Sequence, residues 1–275
     1  MEPTVRCAPY ARRFTLVVGL PLAVVANFLG WAMLTAATPR SPQGVRDRGT
    51  TAASQTRHEY PVHAGIVATT FWVGEIFDPN AADGRQVVST YDSSWEAHYG
   101  GCDGVTSSGG CATEKRFAPT FFPLHMKPSQ NPFYLDLPFD DLNDTAAFKR
   151  RCSVVPWAGA AEYVGHSTDL NFSYMKNRWV KMTGNAGQVC YGQIEVAGPG
   201  QYIDAAYVFG TNNARLLNEK YGGAGMEVSP ALNSCLGAKG LNGDTDRLSW
   251  QFVDASDVPP GPWKNLVTAG GFFNR

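Results

Sequence analysis

Five carboxylates in this chain of 275 residues stand beside aromatic side chains or at the ends of apolar runs: Glu75, Asp136, Glu195, Asp204 and Glu227. Trp72 lies just before Glu75, Tyr134 lies two residues before Asp136, and Tyr191 and Gln193 precede Glu195 at the same two-residue spacing. In an extended strand that spacing sets a ring and a carboxylate on one face. Such groups suit cleavage of a glycosidic bond, where one carboxyl keeps its proton to assist the leaving oxygen and a second acts as base or stabiliser. Flat aromatic faces offer apolar area to sugar rings, and edge groups bind hydroxyls. Taken singly, each acid also reads as a cap or a surface charge, and Glu195 as an acceptor of backbone hydrogen bonds that fix a loop.

Motifs for other chemistries are missing. There is no GxSxG elbow, Walker loop, dinucleotide fingerprint or HExxH, and the five His are scattered without ligand spacing, so neither a metal nor a cofactor is expected. The clusters 78–84 and 242–246 hold Asp and Asn, but in the pattern of ordinary turns rather than of a calcium loop. A formal charge of −1 shows no basic excess, which removes nucleic acid as a partner.

The elements that must position the acids read as an all-β body. Cys190, Gly192, Ile194 and Val196 alternate with Tyr191, Gln193 and Glu195, giving a strand with one apolar and one polar face that stops at Gly198-Pro199. Arg178–Met182 alternates likewise and turns at 184–187 into it, predicting an antiparallel hairpin. Further strands are predicted in 65–77, 131–138, 152–157, around Leu248, Trp250 and Phe252, and from Trp263 to Thr268. Short helices are predicted over 91–99, after Asn143 or Asp144 as far as Phe148, and after Ser229-Pro230. The basic run 149–151 reads as a solvated helix end.

Ahead of this body, Arg6, Arg12 and Arg13 precede a run from Phe14 to Ala37 without charge, which predicts export through a signal peptide or an uncleaved membrane anchor over 1–37. Residues 38–63 read as a disordered linker, and 64–275 as the folded domain. In an exported protein Cys102 and Cys111 are expected to staple their loop, and Cys190 is paired with Cys235. Cys7 lies on the cytoplasmic side of the apolar run, which leaves Cys152 as the odd cysteine.

The strand ending in Glu195-Val196-Ala197-Gly198-Pro199, a glycine-rich crossing, and Met226-Glu227-Val228-Ser229 before a short helix resemble the double-psi β-barrel superfamily. That superfamily includes expansins, barwin-like proteins, family 45 endoglucanases and peptidoglycan lytic transglycosylases of the rare-lipoprotein-A type. The segments SYMKNRWVKM and WQFVDASDVPPGPW are similar to a bacterial secreted branch of it, in which a Cys often stands at the place of Met175. Val196 stands where an Asp would be expected, and Glu227 replaces a shorter Asp.

The resemblance implies a six-stranded double-psi barrel with short helices and long loops. It implies Glu227 as the acid, Glu75 as its partner and Asp204 as a further contact in the catalytic groove. Trp72, Tyr134, Asp136, Tyr191, Gln193 and Glu195 would then bind substrate. The expected function is an exported cell-envelope protein that cuts peptidoglycan or another wall polysaccharide, held to the membrane through the N-terminal segment. An expansin-like glycan binder that breaks no bond, and a structural envelope protein, are the alternatives. The glycan reading rests on Tyr191, Glu195 and Glu227 opening onto one trough of a closed six-stranded barrel; side chains facing different sides, or a core built from helices, would end it.

Overall fold

The computed structural model describes residues 58–82, 84–211, 214, 216–240 and 247–270. The predicted export segment, most of the linker and Cys7 lie outside the described residues. Eight strands are described: β1 (His63–Thr70), β2 (Val105–Ser107), β3 (Gly110–Ala112), β4 (Tyr134–Leu137), β5 (Trp179–Thr183), β6 (Val189–Ala197), β7 (Ala224–Val228) and β8 (Arg247–Val253). Four short helices accompany them: α1 (Trp95–Tyr99), α2 (Thr145–Val154), α3 (Ala205–Val208) and α4 (Pro230–Cys235). None of the described helices is long and apolar enough to cross a membrane.

Six strands close into a barrel in the order β1-β7-β4-β6-β5-β8, with β8 returning to β1. Pairs β1–β7 and β4–β6 are parallel, and the remaining pairs are antiparallel. Alternation explains the core: Leu135, Val180, Met182, Ile194, Met226, Val228, Trp250 and Phe252 come from alternate positions and pack into one buried cluster. A smaller cluster of Phe71, Val73, Trp95, Tyr99, Tyr134 and Val196 forms under α1, so the aromatic stripe of that helix is core. The β5–β6 hairpin has the expected antiparallel register, with Met182 opposite Cys190.

Several expectations need correction. The 152–157 stretch is not a strand, because α2, capped by the Asp144 side chain on the amides of Ala146 and Ala147, runs on through Val154. Arg151 is buried rather than solvated and donates to the backbone carbonyls of Asp141, His166, Asp169 and Phe172. The C-terminal stretch forms a 3-10 turn at Pro262–Lys264 and then an irregular segment, not a last strand. The folded body starts before residue 64, since Tyr60 is in the core and donates to Asp254 at 2.9 Å.

The disulfides Cys102–Cys111 and Cys190–Cys235 are both formed. Cys152 is disulfide-bonded too, so it is not the odd cysteine, and no described cysteine is free.

Candidate functional site

Register places four residues in a row across adjacent strands. Thr69 on β1 pairs with Glu227 on β7, Glu227 with Asp136 on β4, and Asp136 with Val196 on β6. Residues directly opposite on neighbouring strands present their side chains on the same face, so the row brings one hydroxyl and two carboxyls together. The Thr69 hydroxyl donates to Oε1 of Glu227 at 2.9 Å, and the Glu227 amide donates to Oδ1 of Asp136 at 2.7 Å. Val196, where the resemblance expects an aspartate, is apolar, but its register partner Asp136 brings a carboxylate to that place from the next strand.

Gly198, one residue beyond β6, closes over the pair. A methyl group there would sit 2.3 Å from Oδ2 of Asp136 and 3.4 Å from Oε2 of Glu227. The glycine is needed for this close approach and not for a left-handed backbone, which it does not adopt.

Burial, followed by the charge and hydrogen bond of Glu227, pushes Asp136 well above the carboxylate range. A carboxyl shut away from water beside a second carboxyl keeps its proton where an ordinary aspartate has lost it, so Asp136 is the protonated member of the row. Glu75 follows β1 by five residues and is half-buried. Burial lifts it to about 7, with the Trp72 amide pulling the other way and the charge of Glu227 adding to the rise. Glu75, Asp136 and Glu227 therefore form one electrostatically linked cluster. Burial raises the Tyr202 hydroxyl, and Asp136, Asp140, Glu227 and Tyr221 raise it further, which places this tyrosine beside the same cluster. Tyr202 is 46% exposed, so one aromatic face beside the carboxyls is open to solvent, and Tyr221, which acts on Tyr202, is 64% exposed.

The remaining sequence-predicted residues lie elsewhere. Tyr191 packs on Trp263 with ring centroids 5.0 Å apart. Gln193 is buried, its Oε1 accepting from Asn131 Nδ2 at 2.8 Å and from the Thr268 amide at 3.0 Å. Glu195 is buried 4.0 Å from Lys176, and burial lifts it to about 8 against the pull of that lysine. The C-terminal segment thus covers the polar face of β6, and the common trough for Tyr191, Glu195 and Glu227 does not exist. Glu195 is also the extra residue of a bulge, since Leu135 pairs with Ile194 and Asp136 with Val196.

Tyr134 is fully buried, donating to Oδ2 of Asp103 at 2.7 Å and accepting from the Val73 amide. Asp204 caps α3, accepting from the amide of Tyr207 at 3.2 Å, and it accepts from Leu217 at 2.8 Å. Trp72 is half-buried and donates to the Cys111 carbonyl at 3.1 Å.

Sequence reasoning missed Thr69, Gly198, Tyr202 and Tyr221 as members of the site. The signal for Thr69 was its place on the strand that leads to Glu75; the tyrosines sit in a crossing with no period to orient them. Among the described residues, no group of three or more His, Cys, Asp or Glu is arranged to hold a metal ion. Cavities of about 300 and 380 Å³ lie at Leu236, Arg247 and Leu248 and at the Cys102–Cys111 loop, and neither is lined by Glu75, Asp136 or Glu227. Proton-holding groups bear on chemistry more directly than cavity size, so the carboxyl cluster is the candidate site.

No family model, curated protein or solved structure matches the chain.

Proposed function

We propose that this chain is an exported carbohydrate-active protein of the cell envelope, with Glu75, Asp136 and Glu227 as its acid/base centre. The observation that carries the reading is the row Thr69–Glu227–Asp136 across three adjacent strands, with Glu75, a carboxyl lifted to about 7 by burial, feeling the charge of Glu227. Glycosidic cleavage needs a carboxyl that keeps its proton and a second carboxyl to serve as base or stabiliser. Glu75 gives its proton to the leaving oxygen as the carbon–oxygen bond breaks. Glu227, with Thr69 donating to it, acts as the base or stabiliser, taking the proton of the incoming hydroxyl, and Asp136 stays protonated beside it. Tyr202 and Tyr221 offer ring faces to the sugars.

The finer description of the fold as a double-psi barrel is part of the same proposal. It is supported by two parallel strand pairs, β1–β7 and β4–β6, joined by the antiparallel pairing of β4 with β7. The Cys102–Cys111 and Cys190–Cys235 disulfides are compatible with an extracellular location. Tyr191 and Glu195 are buried under the C-terminal segment, so the trough expected of them is absent, and the centre proposed is the separate group Glu75, Asp136 and Glu227.

The test is incubation of the full chain with isolated cell wall, followed by measurement of released sugars and anhydro ends. Release by the wild type is expected, with a fall of about 100-fold or more in Glu75→Gln and Glu227→Gln. Binding without release would replace the enzyme with a glycan-binding module, and neither binding nor release would leave a structural envelope protein.

A further inference from the structure

We infer that the hairpin closed by Cys102–Cys111 is the positioning element of Glu75, fixing the Trp72–Glu75 turn so that its carboxyl is held out of water and toward Glu227. The inference rests on the acid role just proposed. Strands β2 and β3 pair between the two cysteines, and three contacts tie this hairpin to the turn. Trp72 Nε1 donates to the Cys111 carbonyl at 3.1 Å, the Asp103 amide donates to the Val73 carbonyl at 2.9 Å, and Cys111 Sγ lies 3.2 Å from that same carbonyl oxygen.

Behind the turn lies a closed polar chain. Arg116, fully buried, donates to Oδ1 of Asp103 at 2.7 Å; Tyr134 donates to Oδ2 at 2.7 Å; and the Tyr134 oxygen accepts from the Val73 amide at 3.1 Å. The hairpin is therefore locked to β4, the strand that carries Asp136. On the other side, the Gly74 amide donates to the Gln86 carbonyl and the Gln86 amide to the Glu75 carbonyl, at 2.9 and 2.8 Å. Gly74 permits the approach: its φ is +84°, and a methyl group there would stand 3.0 Å from Cys111 Sγ. The clamped turn also holds the carboxyl itself, since the Trp72 amide donates to Oε2 of Glu75 at 3.4 Å.

The charged groups around that turn are Asp103 of the hairpin with its buried partner Arg116, Glu227 from β7, Glu96 from α1, whose Oε1 lies 3.2 Å from the methyl position at Gly74, and Arg85, whose neighbour Gln86 pairs with Glu75. Substituting the two cysteines or Trp72 removes none of them, so loosening the hairpin changes the hydration of Glu75 without removing a charge. Rehydrating a buried carboxyl brings its titration back toward the ordinary range.

The experiment is carbon-13 NMR titration of the glutamate carboxyls in the full chain, with Glu75 assigned through Glu75→Gln. Wild type is compared with Cys102→Ser/Cys111→Ser and with Trp72→Phe, which keeps the disulfide and removes only the indole donor. The Glu75 midpoint is expected to fall by about one to two pH units in the disulfide variant and by about half to one unit in Trp72→Phe. The Glu195 midpoint, under the C-terminal segment, stays near 8 in all three. Should the disulfide variant not fold, Trp72→Phe reads the same quantity. An unmoved Glu75 midpoint in a folded variant, or one that moves together with Glu195, overturns the inference. Undiminished glycan release by Glu75→Gln would instead sink the acid role and leave the titration result standing.

Discussion

Gly198→Ala puts the largest local demand on the carboxyl pair. The added methyl would lie 2.3 Å from Oδ2 of Asp136, whereas carbon and oxygen rest at about 3.5 Å, so the two must separate by about 1 Å. Asp136 has nowhere to go: it is 1% exposed, and its Oδ1 is held by the Glu227 amide. Overpacking of this kind costs about 1–3 kcal/mol. In a body of this size that lowers Tm by about 2–12 °C. A shift of about 1 Å in a reacting group costs about 100-fold in rate, so glycan release should fall by that factor. Thermal melts and wall digestion of the full chain measure both. Gly109→Ala is the control, because its nearest new neighbour is Ser107 Oγ at 3.7 Å, and it should stay within about 0.5 kcal/mol of wild type. A Gly198→Ala protein that melts with wild type would refute the packing argument. One that melts lower yet releases glycan at the wild-type rate would remove the pair from the chemistry.

Two buried groups predict opposite pH dependences. His63 is fully buried, stacked 4.0 Å from Trp250, with no hydrogen-bond partner at either ring nitrogen among the described residues, and burial holds it at about 4. Its folded value is depressed from 6.5, so its contribution is complete above that value and is lost as pH falls toward 4. That contribution amounts to about 3 kcal/mol. His63→Phe keeps the stacking and should flatten this acid limb in urea melts; an unchanged limb would show that other groups set it. Glu195 is raised to about 8, so its contribution is complete below 4.5 and is lost as pH rises through 8. Glu195→Gln should therefore match wild type at about pH 5 and exceed it at about pH 9, and equal urea midpoints at the higher pH would contradict that assignment.

Local signals in the sequence located most of the strands. Alternation marked β5, β6 and β8, and Ser229-Pro230 marked the start of α4, where the serine side chain accepts from the Leu232 amide at 3.2 Å. The failures have physical causes. Val154 and Val155 suggested a strand, yet Asp144 caps a helix there, and Arg151 secures it with hydrogen bonds to loops as far along as Phe172. In the tail, the stretch 263–268 reads as a strand, but a 3-10 turn at Pro262–Lys264 takes its start, and its backbone bonds side chains instead, the Trp263 carbonyl accepting from Asn131 and the Thr268 amide donating to Gln193. Burial of an arginine by distant carbonyls leaves no mark in a local pattern.

The site was less legible for a related reason. A period of two divides a strand into two faces, but it does not say which later segment will lie on either face. On β6 the polar face looked open, and Thr268, 75 residues beyond Gln193, closes it. The true row joins Asp136 to Glu227 across 91 residues, through a register that is set by barrel closure. One residue shows how the two levels meet. The bulge at Glu195 turns that carboxylate away from β4 and lets Val196 pair with Asp136, so the strand that lacks an aspartate lies beside one that supplies it. The carboxylate absent from β6 is thereby supplied by pairing, and a substitution of Asp136 on β4 bears on the proposed acid/base centre more directly than one on β6.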